Sequence, residues 1–320
     1  MPSNSNNSAS QATNPPTLPS EVFLDTSIHV ALHRSRAHRR TVVDTLAEFA
    51  WKGTGSYAKV EYGNVILSRV CYYLDKLRKL RSFEALRDHV TNVLQPKFRT
   101  HHGHQQWFSN LLQKLVDPTD DQEATARAEA LLENLWEVGT AAVDGLVDEV
   151  RDGIGCIFAD QSDSRRWQKP NRRCRASKAG CRLPRFFADN QETFVRIARA
   201  IRRLPEDRVT DQLQGFANAI DRACRNPEVL RDHRVCRSFG DAILAVQSLG
   251  YTSFFTMNVA ESDILCRELR QLLVYLPQKA GQPVEYRDFR PSYPSGMATG
   301  AAPQCRVPDA SRYKGPVRRP

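Results

Sequence analysis

The sequence predicts an α/β protein built on a parallel sheet flanked by helices and interrupted by a mostly α-helical insertion. Three observations lead there. Short apolar runs, "EVFLD", "TGSYAK" and "YTSFFTMN", alternate with amphipathic stretches in the way of parallel α/β units. These runs fall in two blocks, residues 21–75 and 232–277. Between the blocks, over 76–231, apolar residues recur at three-to-four spacing with almost no strand signal, which is the mark of amphipathic helices.

Taken in order, residues 1–20, "MPSNSNNSASQATNPPTLPS", are rich in Ser, Asn and Pro and are expected to be a disordered leader. "EVFLD" reads as a short buried strand, and Thr26 or Ser27 as the cap of a helix through "IHVALHRS". A second helix, "AHRRTVVDTLAEFAWKG", places Val42, Val43, Leu46, Phe49 and Ala50 on its apolar side and is expected to stop at Gly53. "TGSYAK" is then a strand running into the helix "VEYGNVILSRVCYYLDKLRKL". Helical patterns follow in "FEALRDHVTNVL", "QQWFSNLLQKLV", "ATARAEALLENLWEVGTAAVDGLVDEVRDGI" and "NQETFVRIARAIRRL". Near the far end come a capped helix, "SFGDAILAVQSLG", the strand "YTSFFTMN" with its exit loop, and a closing helix, "SDILCRELRQLLVYL". Residues 278–320, with repeated Pro, Gly and Arg, are expected to be a basic disordered tail.

Composition narrows the partners. Lys and Arg number 46 against 36 Asp and Glu, a formal charge of +10, so the average field favours a polyanion; solubility alone is the other reading. No run approaches the ~18 apolar residues that span a bilayer, so no membrane role is expected. Eight cysteines, with no basic residue or apolar core in the first 20 positions, point to a reducing, cytoplasmic compartment.

In an open parallel sheet ligands bind beyond the carboxyl ends of the strands. Asp25 ends the first strand, Glu61 stands near the start of the helix after the second, Asp241 opens the helix before "YTSFFTMN", and Asn258 follows that strand. Singly, Asp25 and Asp241 have an alternative reading as helix caps, Glu61 as an exposed helix residue and Asn258 as a turn residue. Together they place an acidic set on one edge of a sheet, and clustered carboxylates suit a hard cation such as Mg²⁺ or Mn²⁺.

"VFLDTSIHVALH", "GSYAKVEYGNVIL", "RSFGDAILAVQSLG" and "FFTMNVAESDIL" resemble the four blocks of the PIN domain superfamily, in the expected order and over roughly 100 of the 320 residues. The resemblance implies a three-layer PIN-like sheet and a metal-dependent ribonuclease of the type found in toxin–antitoxin pairs and RNA-processing factors. By position, Asp25, Glu61 and Asp241 would ligate Mg²⁺ or Mn²⁺, with Asn258 in the fourth place; Asn departs from the more acidic pattern, and Asp263 is the substitute. Thr26, Ser27 and Thr256 would bond a ligand carboxylate or a substrate phosphate.

The insertion carries its own chemistry. "SDSRRWQKPNRRCRASKAGCRLPRFF" holds Arg165, Arg166, Arg172, Arg173 and Arg175 among other cations, interleaved with Trp167 and Phe186, which suits a phosphate backbone with stackable bases; a solvated loop is the plain alternative. Cys156, Cys174 and Cys181, with Cys224 or one of His101, His102 and His104, are candidates for a structural Zn²⁺, against ordinary cysteines and a polar "HHGH" loop. Cys71, Cys224, Cys236 and Cys266 sit in helical patterns and read as small core residues. The expected function is a divalent-metal-dependent endoribonuclease acting on RNA, with DNA also a candidate. The alternatives are a catalytically weakened RNA-binding or scaffold protein, and a nuclease held by a protein antitoxin on the helical insertion.

Overall fold

The computed structural model describes residues 20–33, 35–94, 120–156 and 180–291. Six strands form one sheet: β1 (Glu21–Leu24), β2 (Trp51–Gly55), β3 (Glu149–Arg151), β4 (Ser253–Thr256), β5 (Leu272–Tyr275) and β6 (Glu285–Asp288), in the order β3-β2-β1-β4-β5-β6. All neighbours pair parallel except β5 and β6, which are antiparallel.

β1 lies inside the sheet because every residue from Val22 to Leu24 is buried, and period-two geometry sends them to opposite faces. Val22 and Leu24 join Phe255, Leu272 and Val274 in the core beneath α1 (Thr26–Ala31) and α2 (Arg36–Leu46). Phe23 joins Phe254 and Leu273 in the core on the other face. Helices therefore cover both faces, the layering that parallel sheets require.

Between β2 and β3 the chain forms α3 (Ser56–Tyr62), a wide π-helical stretch at Gly63–Leu67, α4 (Ser68–Leu80), α5 (Phe83–Asp88), a second π-helical stretch at His89–Leu94, and α6 (Asp121–Ala142). Tyr73, Leu77, Leu86 and Leu132 hold α4, α5 and α6 together as a separate apolar cluster. After β3 come α7 (Leu183–Asp189), α8 (Gln191–Arg202), α9 (Asp211–Arg225), α10 (His233–Ser238) and α11 (Gly240–Gln247), then, beyond β4, α12 (Val259–Leu269).

The expected insertion is thus two things. α4–α6 pack on themselves, whereas α7–α9 send Phe187, Phe194, Phe216 and Ile220 into the core shared with the sheet. Phe194 lies 5.2 Å from Phe187 and 4.8 Å from Phe239, ring centre to ring centre. Burying one such ring contributes about 1.5–3 kcal/mol, so this face of the sheet depends on helices placed outside the α/β blocks by sequence.

Several boundaries depart from expectation. α2 ends at Leu46, and Gly53, expected to stop it, sits inside β2, where a Cβ would lie 1.9 Å from the Tyr251 hydroxyl oxygen. The helix expected through "VDEVRDGI" ends at Ala142 and yields β3, an edge strand whose residues are all half-buried. Tyr251 donates to Glu149 at 2.7 Å and stacks under the Arg151 guanidinium, which fixes that edge. The closing helix ends at Leu269 because Arg270 turns left-handed (φ 57°), and "LLVY" becomes β5. Part of the expected tail is ordered, since Glu285–Asp288 forms β6; residues 292–320 of it, like residues 1–19 of the expected leader, lie outside the described residues.

Candidate acidic site

The chain runs outward from β1 to β2 on one side and to β4 on the other, so the carboxyl ends of β1 and β4 form the switch point of the sheet, where such folds bind ligands. Asp25 leaves β1 at this point, and its backbone N–H donates to the Phe255 carbonyl at 2.9 Å. It occupies the N-cap position of α1, yet its side chain makes no capping hydrogen bond there. Instead Asp25 Oδ2 accepts from the Ser27 hydroxyl at 2.6 Å and the Thr256 hydroxyl at 2.7 Å. The loop leaving β4 orients both donors: the Met257 N–H donates to Ser27 Oγ at 2.8 Å, and the Asn258 N–H to Thr256 Oγ1 at 2.9 Å.

Glu61, near the end of α3, accepts from the Thr26 hydroxyl at 2.6 Å. Asp241 stands in the first turn of α11 but is not its cap; Phe239 holds that position, and the Asp241 carboxylate accepts from the Gln212 side-chain amide. Gly240 permits the approach of α3 to α11, since a Cβ there would lie 2.5 Å from Tyr57 Cε1 and 2.9 Å from Glu61 Oε1.

Of the four groups proposed from sequence, Asp25, Glu61 and Asp241 lie close enough to perturb one another, and Asn258 adjoins Asp25 through its N–H bond to Thr256. Asn258 caps the start of α12 with no side-chain capping bond, and Asp263 is paired with Arg287 at 2.9 Å and Arg267 at 3.3 Å. The acid that does arrive is Glu261, which sequence reasoning passed over. It is 8% exposed, accepts from the Thr210 hydroxyl at 3.1 Å, and acts on Asp241 electrostatically. Its sequence signal is slight: a Glu three residues past Asn258, in the first turn of a helix, reads as an ordinary dipole complement.

Burial is the main cause of the site's unusual titration. It pushes Glu61 up to about 8, with the Asp241 and Asp25 charges adding to the shift and Thr26 and Arg237 opposing it. Asp241 is pushed up to about 7, again by burial first, then by Asp25 and Glu261, against the Gln212 hydrogen bond. Asp25 also moves up through burial, held back by the hydroxyls of Ser27 and Thr256 and by the Thr26 and Ser27 amides. Among the described residues none of these four carboxylates is in an ion pair; each has one oxygen taken by a neutral hydroxyl or amide.

An all-oxygen donor set suits a hard divalent cation in its chemistry. Among the described residues, however, no group of three or more His, Cys, Asp or Glu side chains is placed so that it could hold a metal ion as it stands. Thr26, Ser27 and Thr256, expected to bond a carboxylate or a phosphate, bond carboxylates.

The zinc candidates are divided. Cys156 and Cys181 sit half-buried on segments that run side by side, with the Arg182 N–H donating to the Ile154 carbonyl at 2.7 Å. Cys174, His101, His102 and His104 lie outside the described residues, as do Arg165, Arg166, Arg172, Arg173 and Arg175. Among the cysteines expected as small core residues, Cys266 is buried, Cys71 and Cys236 are half-buried, and Cys224 is exposed. No helix among the described residues is long and apolar enough to cross a membrane.

Fold and site together define an α/β protein with a carboxylate cluster at the switch point of its sheet. The chain matches no family model, no curated protein and no solved structure.

Proposed function

We propose that the protein is a PIN-like, divalent-metal-dependent endoribonuclease that hydrolyses RNA phosphodiester bonds at Asp25, Glu61 and Asp241, with Glu261 as the fourth carboxylate. The observation that supports this reading is that Asp25, Glu61 and Asp241, from three separated segments, act on one another near the carboxyl ends of β1 and β4, with Glu261 acting on Asp241 and no ion pair to any of them among the described residues. Asp25, Glu61, Asp241 and Glu261 would hold Mg²⁺ or Mn²⁺. Such an ion, when bound, supplies charge for a phosphodiester in displacement and lowers the pKa of a water.

The chain's own residues prepare the site. Ser27 and Thr256 fix one oxygen of Asp25, and Thr26 fixes one oxygen of Glu61, so those two carboxylates are oriented before any ligand arrives. Glu61 and Asp241, both moved toward neutrality, hold protons that would have to leave before a cation could bind there. Cytoplasmic RNA is the substrate class in this reading, and the basic 165–175 segment supplies grip on the strand.

A second reading has its own observation. Hydroxyl and amide donors already engage all four carboxylates, and the fourth expected position is Asn258, which suits a protein that binds RNA or an antitoxin-like partner without cutting. Incubation of RNA with Mg²⁺ or Mn²⁺ separates the two, comparing wild type with Asp25→Asn and Asp241→Asn at matched folding. Cleavage by wild type and its loss in both variants supports hydrolysis; no cleavage, or equal cleavage by the variants, removes it. The structural Zn²⁺ stands as a proposal on Cys156, Cys174 and Cys181, and metal content before and after Cys174→Ser and Cys181→Ser decides it.

A further inference from the structure

A polyanion that approaches four carboxylates is repelled, so a site of this kind needs a cation at its entrance. The structure offers one candidate on the α3 side. Tyr57 and Glu61 stand one helical turn apart on α3, and both face the junction of α10 and α11. The Tyr57 hydroxyl donates to the Cys236 carbonyl at 3.4 Å, and a Cβ on Gly240 would touch both Tyr57 and Glu61. Arg237 lies between these two anchor points, in the last turn of α10. Its side chain is exposed, and among the described residues it enters no ion pair, although the Glu61 carboxylate is near enough to feel its charge. Glu61 accepts its hydrogen bond from Thr26. Gln212, also exposed, is bonded to Asp241.

We propose that Arg237 is the phosphate-binding residue at the mouth of the acidic site, where its guanidinium takes two oxygens of a strand phosphate neighbouring the one presented to the carboxylates. The chemical identity of the ligand rests on the ribonuclease reading; the choice of residue rests on the placement of Arg237 between Cys236 and Gly240. A planar guanidinium matches two phosphate oxygens at once, which an ammonium does not, so Lys is an imperfect replacement. Arg234, on the preceding turn of the same short helix, is equally exposed and has no such anchor points beside it.

The test measures binding apart from cutting. A short fluorescein-labelled single-stranded RNA is titrated with the full chain in EDTA, by anisotropy, over a range of salt. Arg237→Ala is expected to weaken binding about fivefold to tenfold and to lower the salt slope by about one; Arg237→Lys recovers part of the affinity. Arg234→Ala stays within about twofold of wild type. Wild-type affinity in Arg237→Ala, equal losses in Arg234→Ala and Arg237→Ala, or no strand binding by wild type overturns the assignment. Loss of affinity in Arg237→Ala by a protein that cuts no RNA keeps the anchor and removes the nuclease. Cleavage with unchanged strand affinity in Arg237→Ala does the reverse.

Discussion

Thr256 gives its hydroxyl proton to Asp25 Oδ2 across 2.7 Å, although 231 positions separate the two residues. The bond joins the ends of β1 and β4, and Thr256 is fully buried. Thr256→Val keeps the shape and removes the donor, leaving a buried carboxylate short of one partner. The expected loss is about 1–3 kcal/mol in urea unfolding, with Thr256→Ser close to wild type. Equal stability of the Val and wild-type proteins would show that this bond contributes nothing net.

The raised carboxyls give stability a definite pH dependence. Glu61 and Asp241 titrate at about 8 and 7 in the folded chain, against 4.5 and 3.8 without the fold. From about pH 4 to pH 8 the folded state binds more protons than the unfolded, so stability falls as pH rises, by at most about 1.4 kcal/mol per unit per group. Both side chains keep some surface, and the observed slope is expected to be well below that ceiling. In EDTA, thermal midpoints should drop between pH 6 and 8.5, and Glu61→Gln should flatten the curve. Added Mn²⁺ should stabilise more at pH 8 than at pH 6, because fewer protons remain to be displaced.

Gly240 serves close approach rather than a special backbone angle. A methyl group there meets Tyr57 at 2.5 Å and Glu61 at 2.9 Å, and Tyr57 is itself buried. Gly240→Ala should cost about 1–3 kcal/mol by overpacking and should move Glu61. Fluorescence-monitored unfolding reads the first effect, and Mn²⁺ titration the second.

The fourth carboxylate can be assigned by side-by-side substitution. Glu261→Gln should weaken Mn²⁺ binding about tenfold or more in calorimetric titration, while Asn258→Ala and Asp263→Asn stay within about twofold. A loss at Asp263 with none at Glu261 would return that role to the residue now paired with Arg267 and Arg287.

The sheet centre was legible because β1 and β4 are short, buried on both faces and followed by polar turns, so Asp25 and Thr256 could be placed at one edge. β3 and β6 were not, since "EVR" and "EYRD" are edge strands without an apolar pattern of their own. β5 failed for the opposite reason: "LLVY" is apolar throughout, and only the left-handed turn at Arg270 separates it from the helix before it. Among the site residues, Asp25, Glu61 and Asp241 stood beside recognisable strand or helix starts. Glu261 became visible only once α9 brought Thr210 to it, a tertiary fact. The same holds for α7–α9, whose amphipathic faces did not disclose that they pack on the sheet.

The strand order also governs when the site can exist. β1 is made before its partner β4, so the hydroxyl of Thr256 emerges from the ribosome only after the intervening helices. Until then one edge of β1 has no neighbour and Asp25 lacks the Thr256 donor, while Glu261, which acts on Asp241, comes later still. A nascent chain, or one broken off before Ser253, therefore carries an incomplete set of acids. Assembly of this set of acids therefore waits on α12, which follows β4 in the chain.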